Sequence, residues 1–250
     1  MSTSIQNTHQ MRELRLNAMT QAYERQQETP KLHDLNFDDR FGLLLEAECA
    51  ARRTRKLSRL VKTANLPEAA SLEDLDTRPS RGLDKALVSS LAGCGWIQRQ
   101  HNLIVVGPTG VGKTWLACAL AHQACRQGMK VWFQKAADLY TSIVEASMEG
   151  TVSKLKTSLT TPNLLILDDF GIGEMTPYAC QVLLDIVDRR MRTGSLLITS
   201  QYPTEKWHAS FPDPTIADAV LDRVVHQAYR IQLKGESMRK MRGRAALAEA

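Results

Sequence analysis

The stretch VVGPTGVGKTW, Val105 to Trp115, decides the fold. Gly107, Gly110, Gly112, Lys113 and Thr114 fit the pattern G-x-x-x-x-G-K-[ST] without a mismatch. The apolar run Leu103–Val106 precedes it, and Leu116, Leu120, Ala121 and Ala124 follow at helical spacing, so the motif sits in a strand, loop, helix context. Each residue type has a physical task. Glycine permits positive φ and close backbone approach, so the loop of Gly107, Pro108, Thr109, Gly110, Val111, Gly112, Lys113, Thr114 and Trp115 can wrap phosphate oxygens at the positive end of the following helix, with every residue but Pro108 supplying an N–H. The Lys113 ammonium is placed to bridge the β- and γ-phosphates of ATP, and the Thr114 hydroxyl to hold Mg²⁺.

A phosphate cradle needs a second metal contact from a neighbouring strand, which directs attention to LLILDDFG, Leu164 to Gly171. Four apolar residues running into two acids read either as a buried strand aiming carboxylates at a metal or as a core strand ending in a solvated turn. With the phosphate loop upstream, Asp168 is the expected second metal contact. Asp169 then stands where a carboxylate polarises the attacking water. Aspartate is one methylene shorter than glutamate, so it must reach through a different backbone or a second water, which is compatible with slow, partner-regulated hydrolysis. The other reading of Asp169 is a capping residue in a turn.

Length and composition bound the rest. With 250 residues, 43% of them hydrophobic, the chain can build one nucleotide-binding core and a smaller appendage. No apolar run approaches the roughly 18 residues of a membrane span, and the polar N-terminus lacks a signal peptide's apolar segment, so a cytoplasmic protein without a membrane partner is expected. Cys49, Cys94, Cys118, Cys125 and Cys180 include no C-x-x-C pair and read as small buried residues in a reducing compartment. The net charge of +5 is concentrated in two places: Glu46–Lys62 carries six basic residues against two acids, and Tyr229–Ala250 again six against two. Such clusters are often solvated helix faces, yet two of them flanking a nucleotide-binding core tilt the balance towards a polyanion, most simply DNA.

Periodicity supplies the organisation. Helical spacing from His9 to Gln27, and again from an Asn36 N-cap with Phe41, Leu44, Leu45, Leu57, Leu60 and Val61 on its apolar side, predicts a small all-helical domain over 1–65. Residues 66–82 mix Pro, Ser, Asp and Gly and read as a linker, and 83–250 as the core domain. Five apolar runs, Leu103–Val106, Val131–Phe133, Leu164–Leu167, Leu196–Ser200 and Tyr229–Leu233, are separated by helical stretches, the pattern of a parallel sheet covered on both faces. That order suits an oligomeric ATPase with a polar residue beside the γ-phosphate better than a small nucleotide kinase.

These motifs, with RFGLLLEAECAARRTRKLSRLVK, RGLDKALVSSLAGCGWI, LLITSQYPTEKW and GESMR, make the sequence similar to the IstB family of insertion-sequence transposition helper ATPases, relatives of the helicase loader DnaC and the initiator DnaA in the AAA+ group. The resemblance covers nearly the whole chain. It implies an α/β AAA+ P-loop ATPase core with a five-stranded parallel sheet, preceded by a small helical domain and lacking a separate C-terminal lid, with only a closing helix from Gly235 to about Ala248. Asp168 and Asp169 resemble the family's metal-binding and water-activating acids. Ser200 and Gln201 stand where the family commonly has a Ser-Asn sensor, although a Thr-Ser pair ending a buried strand can equally satisfy the backbone. Arg223 resembles the arginine that related ATPases insert into a neighbour's active site, and its other reading is a surface salt bridge to Asp222 or Asp218. Lys154 and Lys156 fall in an interval where relatives carry an extra helix lining DNA, which makes them candidates for phosphate contacts. From the closing helix Arg239 could reach a nucleotide, or Arg239, Lys240, Arg242 and Arg244 could instead grip phosphates of DNA. The implied function is an ATP-dependent helper that oligomerises on duplex DNA and delivers or stimulates a transposase. A replicative helicase loader shares every core motif, and a metabolic P-loop kinase fits the basic flanks poorly.

Overall fold

Five short apolar runs become five parallel strands, β1 (Asn102–Val106), β2 (Val131–Lys135), β3 (Leu164–Asp168), β4 (Ser195–Ser200) and β5 (Ala228–Gln232), in the spatial order β2-β3-β4-β1-β5. The computed structural model describes residues 3–226, 228–238 and 240, so Arg239, Arg242 and Arg244, and most of the expected closing helix, lie outside the described residues. The chain divides into two compact units between Arg59 and Leu60, inside a helix and earlier than the residue 65 boundary read from sequence.

In the first unit, the periodicity from His9 to Gln27 predicts one helix, and the structure has two: α1, Thr3–Glu13, and α2, Asn17–Glu28. The break is at Arg15, in the left-handed region with φ 57°, and the Leu16 N–H reaches back to the Met11 carbonyl at 2.8 Å to close α1. A tertiary contact overrides the helical pattern. The new helix start presents the Ala18 and Met19 N–H groups to the Glu48 carboxylate, at 3.0 and 3.3 Å. Glu48 lies on α3, Phe37–Thr63, is buried, and also accepts from Arg52 and Arg55 at 2.8 and 3.1 Å. The Arg52 bond is the main force holding the Glu48 carboxyl below its ordinary pKa. Two charges of the basic 46–62 cluster are therefore spent inside the unit. Asn36 does cap α3, accepting from the Asp39 N–H at 2.9 Å. Phe41 and Leu45, read from sequence as core, are 41% and 45% exposed, and Phe37 stacks on Phe41 at 5.8 Å between ring centroids.

In the second unit, α4 (Lys85–Ala92) and the single turn α5 (Gly95–Gln98) lead into β1 (Asn102–Val106) and α6 (Lys113–Arg126). Then follow β2 (Val131–Lys135), α7 (Ala136–Met148), α8 (Val152–Thr160), β3 (Leu164–Asp168), α9 (Pro177–Thr193), β4 (Ser195–Ser200), α10 (Pro214–Val225) and β5 (Ala228–Gln232). The strands' composition matches their place. β3 and β4, in the interior, are buried at every residue, whereas β2 and β5, at the edges, expose part of theirs. Because β4 lies between β1 and β3, its C-terminal tip separates the phosphate loop from the acidic strand. The expected linker carries two short 3₁₀ turns, Leu72–Asp74 and Pro79–Arg81. Four cysteines are buried as expected, while Cys49 is exposed.

One buried charge fastens the sheet's far end. Arg190 of α9 is 1% exposed and meets only carbonyls: Nη1 donates to Leu159 and Pro162 at 2.8 and 3.1 Å, and Nη2 to Asn163 and Ser195 at 3.4 and 2.6 Å. Burial pulls its pKa down to about 10, so it stays charged at neutral pH. Arg190→Met removes the donors and strands several buried carbonyls, which should cost about 3 kcal/mol and lower the melting temperature by roughly 6–12 °C. Thermal unfolding followed by circular dichroism measures this, and a parent-like melting temperature contradicts the fastening role.

Candidate nucleotide-binding site

The site stands at the carboxyl ends of the strands, where open parallel sheets bind ligands. The phosphate loop leaves β1 and enters α6 with Gly107, Gly110 and Gly112 all at positive φ, 159°, 82° and 98°, a backbone that turns successive N–H groups to one side. Lys113 is buried, and its ammonium donates to the Gly107 and Pro108 carbonyls at 2.9 and 3.1 Å. The cradle's cation thus rests against the loop that a phosphate would enter.

Across the tip of β4, the Thr114 hydroxyl donates to Asp168 Oδ2 at 2.9 Å. Asp168 is 1% exposed. Burial pushes its carboxyl above the ordinary range, hydrogen bonds from Thr199 and Thr114 work the other way, and the neighbouring Asp169 charge adds to the rise. Thr199, read from sequence only as half of a Thr-Ser pair that can satisfy the backbone, organises both acids. Its hydroxyl donates to Asp168 Oδ1 at 2.5 Å and accepts the Asp169 N–H at 3.0 Å. Thr114 and Asp168 form an all-oxygen pair, which suits Mg²⁺, a hard cation that takes one or two protein ligands and fills its shell with phosphate and water.

Asp169 sits in the left-handed region, φ 55°, and lines the same cavity as Thr109, Lys113, Thr114 and Gln201. The strain is tolerable for Asp and is locked in by the next residue. Phe170 is buried against Trp207, with centroids 4.8 Å apart, and its N–H donates to the Thr199 carbonyl at 2.8 Å. The phenylalanine after the paired acids is therefore an anchor for the turn that carries Asp169.

The remaining sequence candidates separate. Gln201 reaches the site, where its side-chain oxygen accepts from the Thr109 hydroxyl at 2.8 Å. Ser200 is fully buried and donates to the Phe170 carbonyl at 2.6 Å, so its hydroxyl serves the backbone. Arg223, on α10, pairs with Asp188 of α9 and donates to the Ala219 carbonyl at 2.7 Å. Its ion pair is therefore not with Asp218 or Asp222, which face His208 and His226 instead. In the expected extra helix, α8, Lys154 is exposed while Lys156 pairs with Asp185 of α9. The sequence reading also missed Leu75, Arg81, Leu83, Leu233 and Met238, which line the cavity from the segments before α4 and after β5. Arg81, Leu83 and Met238 lie in the stretches RGLDKAL and GESMR, which carry the family resemblance, and that was the signal available for them.

The fold and this constellation define a P-loop ATP-binding protein. The family model described as IstB-like ATP binding protein matches residues 9–246, and the chain belongs to that family. It is 42% identical over 225 residues to an insertion-sequence ATP-binding protein of Sinorhizobium fredii (strain NBRC 101917 / NGR234), covering 90% of this chain and 92% of that one. It is 32% identical over 213 residues to the IS21 ATP-binding protein of Pseudomonas aeruginosa, covering 85% and 80%. Among solved structures, the fold is similar to that of DnaI, with a TM-score of 0.57 and 18% identity over 71% of this chain and 94% of that one. AMPPCP-bound DnaA from Aquifex aeolicus gives a TM-score of 0.58 and 17% identity, over 74% and 57%. No helix among the described residues is long and apolar enough to cross a membrane.

Asp168→Asn keeps an acceptor for Thr114 or Thr199 while removing a charge whose burial is unfavourable. Without ligand it should melt at or about 2–4 °C above the parent. Addition of Mg²⁺ and ATP should then raise the melting temperature much less than it does for the parent. Equal Mg²⁺-dependent stabilisation of the two proteins contradicts the metal assignment.

Proposed function

We propose that the chain is an ATPase that assembles as an oligomer on duplex DNA and recruits or stimulates the transposase of an insertion sequence, with ATP binding favouring assembly and hydrolysis releasing it. The observation that carries this reading is the complete phosphate loop joined through Thr114 to the buried Asp168, in a chain whose relatives bear insertion-sequence names. Those names favour transposition over replicative helicase loading, since the loader likeness is one of fold at 18% identity. A cytoplasmic location follows from the same reading.

In this mechanism Lys113 and the loop N–H groups bind the β- and γ-phosphates. Leu75, Leu83, Leu233 and Met238 give the apolar wall against which a base can lie. Thr114 and Asp168 would hold Mg²⁺, which would neutralise charge on the phosphates. Asp169 accepts a proton from the attacking water, and Gln201, linked to Thr109, is the polar group at the β4 tip that faces the γ-phosphate side. Ser200 holds the β4 tip rather than touching nucleotide. Arg223 acts on a neighbouring subunit's nucleotide after exchanging Asp188 for phosphate oxygens, a change between two charge-assisted partners. Lys154 is the α8 side chain available for DNA phosphates, and its contact positions without reading sequence.

Steady-state hydrolysis with and without duplex DNA tests the reading. DNA should accelerate the parent. Lys113→Ala should lose nucleotide binding, and Asp169→Asn should bind ATP without turning it over. Arg223→Ala should bind ATP as the parent does and lose DNA stimulation, by roughly 10³-fold if the arginine stabilises developing phosphoryl charge. Mixing Lys113→Ala with Arg223→Ala should restore some hydrolysis, because one mixed interface then holds a complete site. An unstimulated parent, or an Asp169→Asn protein as fast as the parent, contradicts the proposal.

A further inference from the structure

Two segments meet beside the phosphate loop, where Arg81 and Met238 line the cavity: Arg81-Gly82, at the start of RGLDKAL, and Gly235–Met238, the GESM stretch after β5. They are tied to each other. The Lys234 N–H donates to the Arg81 carbonyl at 2.9 Å. Gly82 lies so close to the end of β5 that an added Cβ would come within 2.3 Å of the Gln232 carbonyl oxygen. Both segments also hold the loop. The Met238 N–H donates to the Gly110 carbonyl at 2.9 Å, and an added Cβ on Gly110 would meet Ser237 Oγ at 2.3 Å. Arg81, only 8% exposed, donates from Nη2 to the Val111 carbonyl at 2.7 Å, with Nη1 turned to the Met238 thioether and the Asp76 carboxylate 3.9 Å away.

The chemistry of the peptide bond gives these contacts a consequence. In a planar trans peptide, the carbonyl and the next N–H point in opposite directions. A Val111 carbonyl held by Arg81 turns the Gly112 N–H away from the Arg81 guanidinium. A Gly110 carbonyl held by the Met238 N–H fixes the Gly110–Val111 peptide in the same manner, and the Val111 N–H makes a long 3.4 Å bond to the Pro108 carbonyl. Glycine-rich loops are free to flip such peptides, and an anion-binding nest needs them all turned inward before the anion arrives. A charged donor on a carbonyl is among the stronger ways to fix one.

We infer that Arg81 is a positioning residue for nucleotide binding: from the wall of the cavity, it fixes the Val111–Gly112 peptide so that the Gly112 N–H is presented to the phosphates. The inference rests on the loop being the ATP site. Arg81 contacts a part of the loop common to all its ligands, so ATP and ADP should depend on it equally. A residue that served the γ-phosphate would separate them.

The test combines titration of ATP and ADP, by calorimetry with Mg²⁺, with amide hydrogen exchange on the nucleotide-free full chain, for the parent, Arg81→Ala and Arg81→Lys. Arg81→Ala should bind both nucleotides about tenfold more weakly, by the same factor, with kcat at saturating ATP within about twofold of the parent. Without nucleotide, peptides covering Gly107–Trp115 should exchange faster, while those covering β3 and β4 keep their protection. Arg81→Lys, which can still reach one carbonyl, should recover most of both effects. If Arg81→Ala loses protection throughout the core, the Arg81→Lys comparison decides: a folded lysine variant with parent-like affinity and loop protection supports the inference, and one with neither overturns it. Unchanged loop exchange alongside weakened binding assigns Arg81 to the ligand itself and overturns positioning. Parent-like affinity of Arg81→Ala overturns it too. A parent that binds neither nucleotide refutes the ATP-site reading and the inference with it.

Discussion

The hydrogen bond from Thr114 to Asp168 is the contact on which the rest of the site depends. It joins the first turn of α6 to the end of β3, two strands away from β1, and it can form only if β4 lies between them with a small polar residue at its tip. Thr199 is that residue, and it bonds Asp168 and the Asp169 backbone together. The sheet order is therefore part of the chemistry. A carboxylate buried to this degree is unfavourable on its own, and two hydroxyl donors together with a nearby lysine only partly relieve it. Such a group is poised for a cation, which is what a phosphate-binding loop beside it requires.

What could be read from the sequence was what neighbours along the chain decide. A loop motif, a run of β-forming residues or an apolar strand ending in acids is a local pattern, and all five strands, the loop and both aspartates fall where those patterns place them. What could not be read were pairings between distant segments. Glu48 breaks the first helical stretch at Arg15 from thirty residues away, against a clear periodicity. Asp185 and Asp188, on one face of α9, pair with Lys156 and Arg223, and neither charge has a local partner that predicts this. Ser200 and Gln201 are adjacent, yet one turns into the backbone and the other into the cavity, because successive residues leaving a strand point to opposite sides.

The same distinction explains why the segment over 66–82 reads as a linker. Its composition is that of a loop, and no period marks Leu75, Arg81 or Leu83 as a unit. In the folded chain these residues and the stretch after β5 close one side of the cavity, so elements at opposite ends of the core domain meet at the loop.

The central claim is that ATP at this site drives assembly on DNA. Sedimentation velocity of the full chain with duplex DNA, in Mg²⁺ and either ATP, ADP or no nucleotide, tests it most directly. The account predicts a faster-sedimenting protein–DNA assembly with ATP, absent with ADP and absent for Lys113→Ala under every condition. The same distribution of species in all three nucleotide states, with ATP binding independently confirmed, would contradict it.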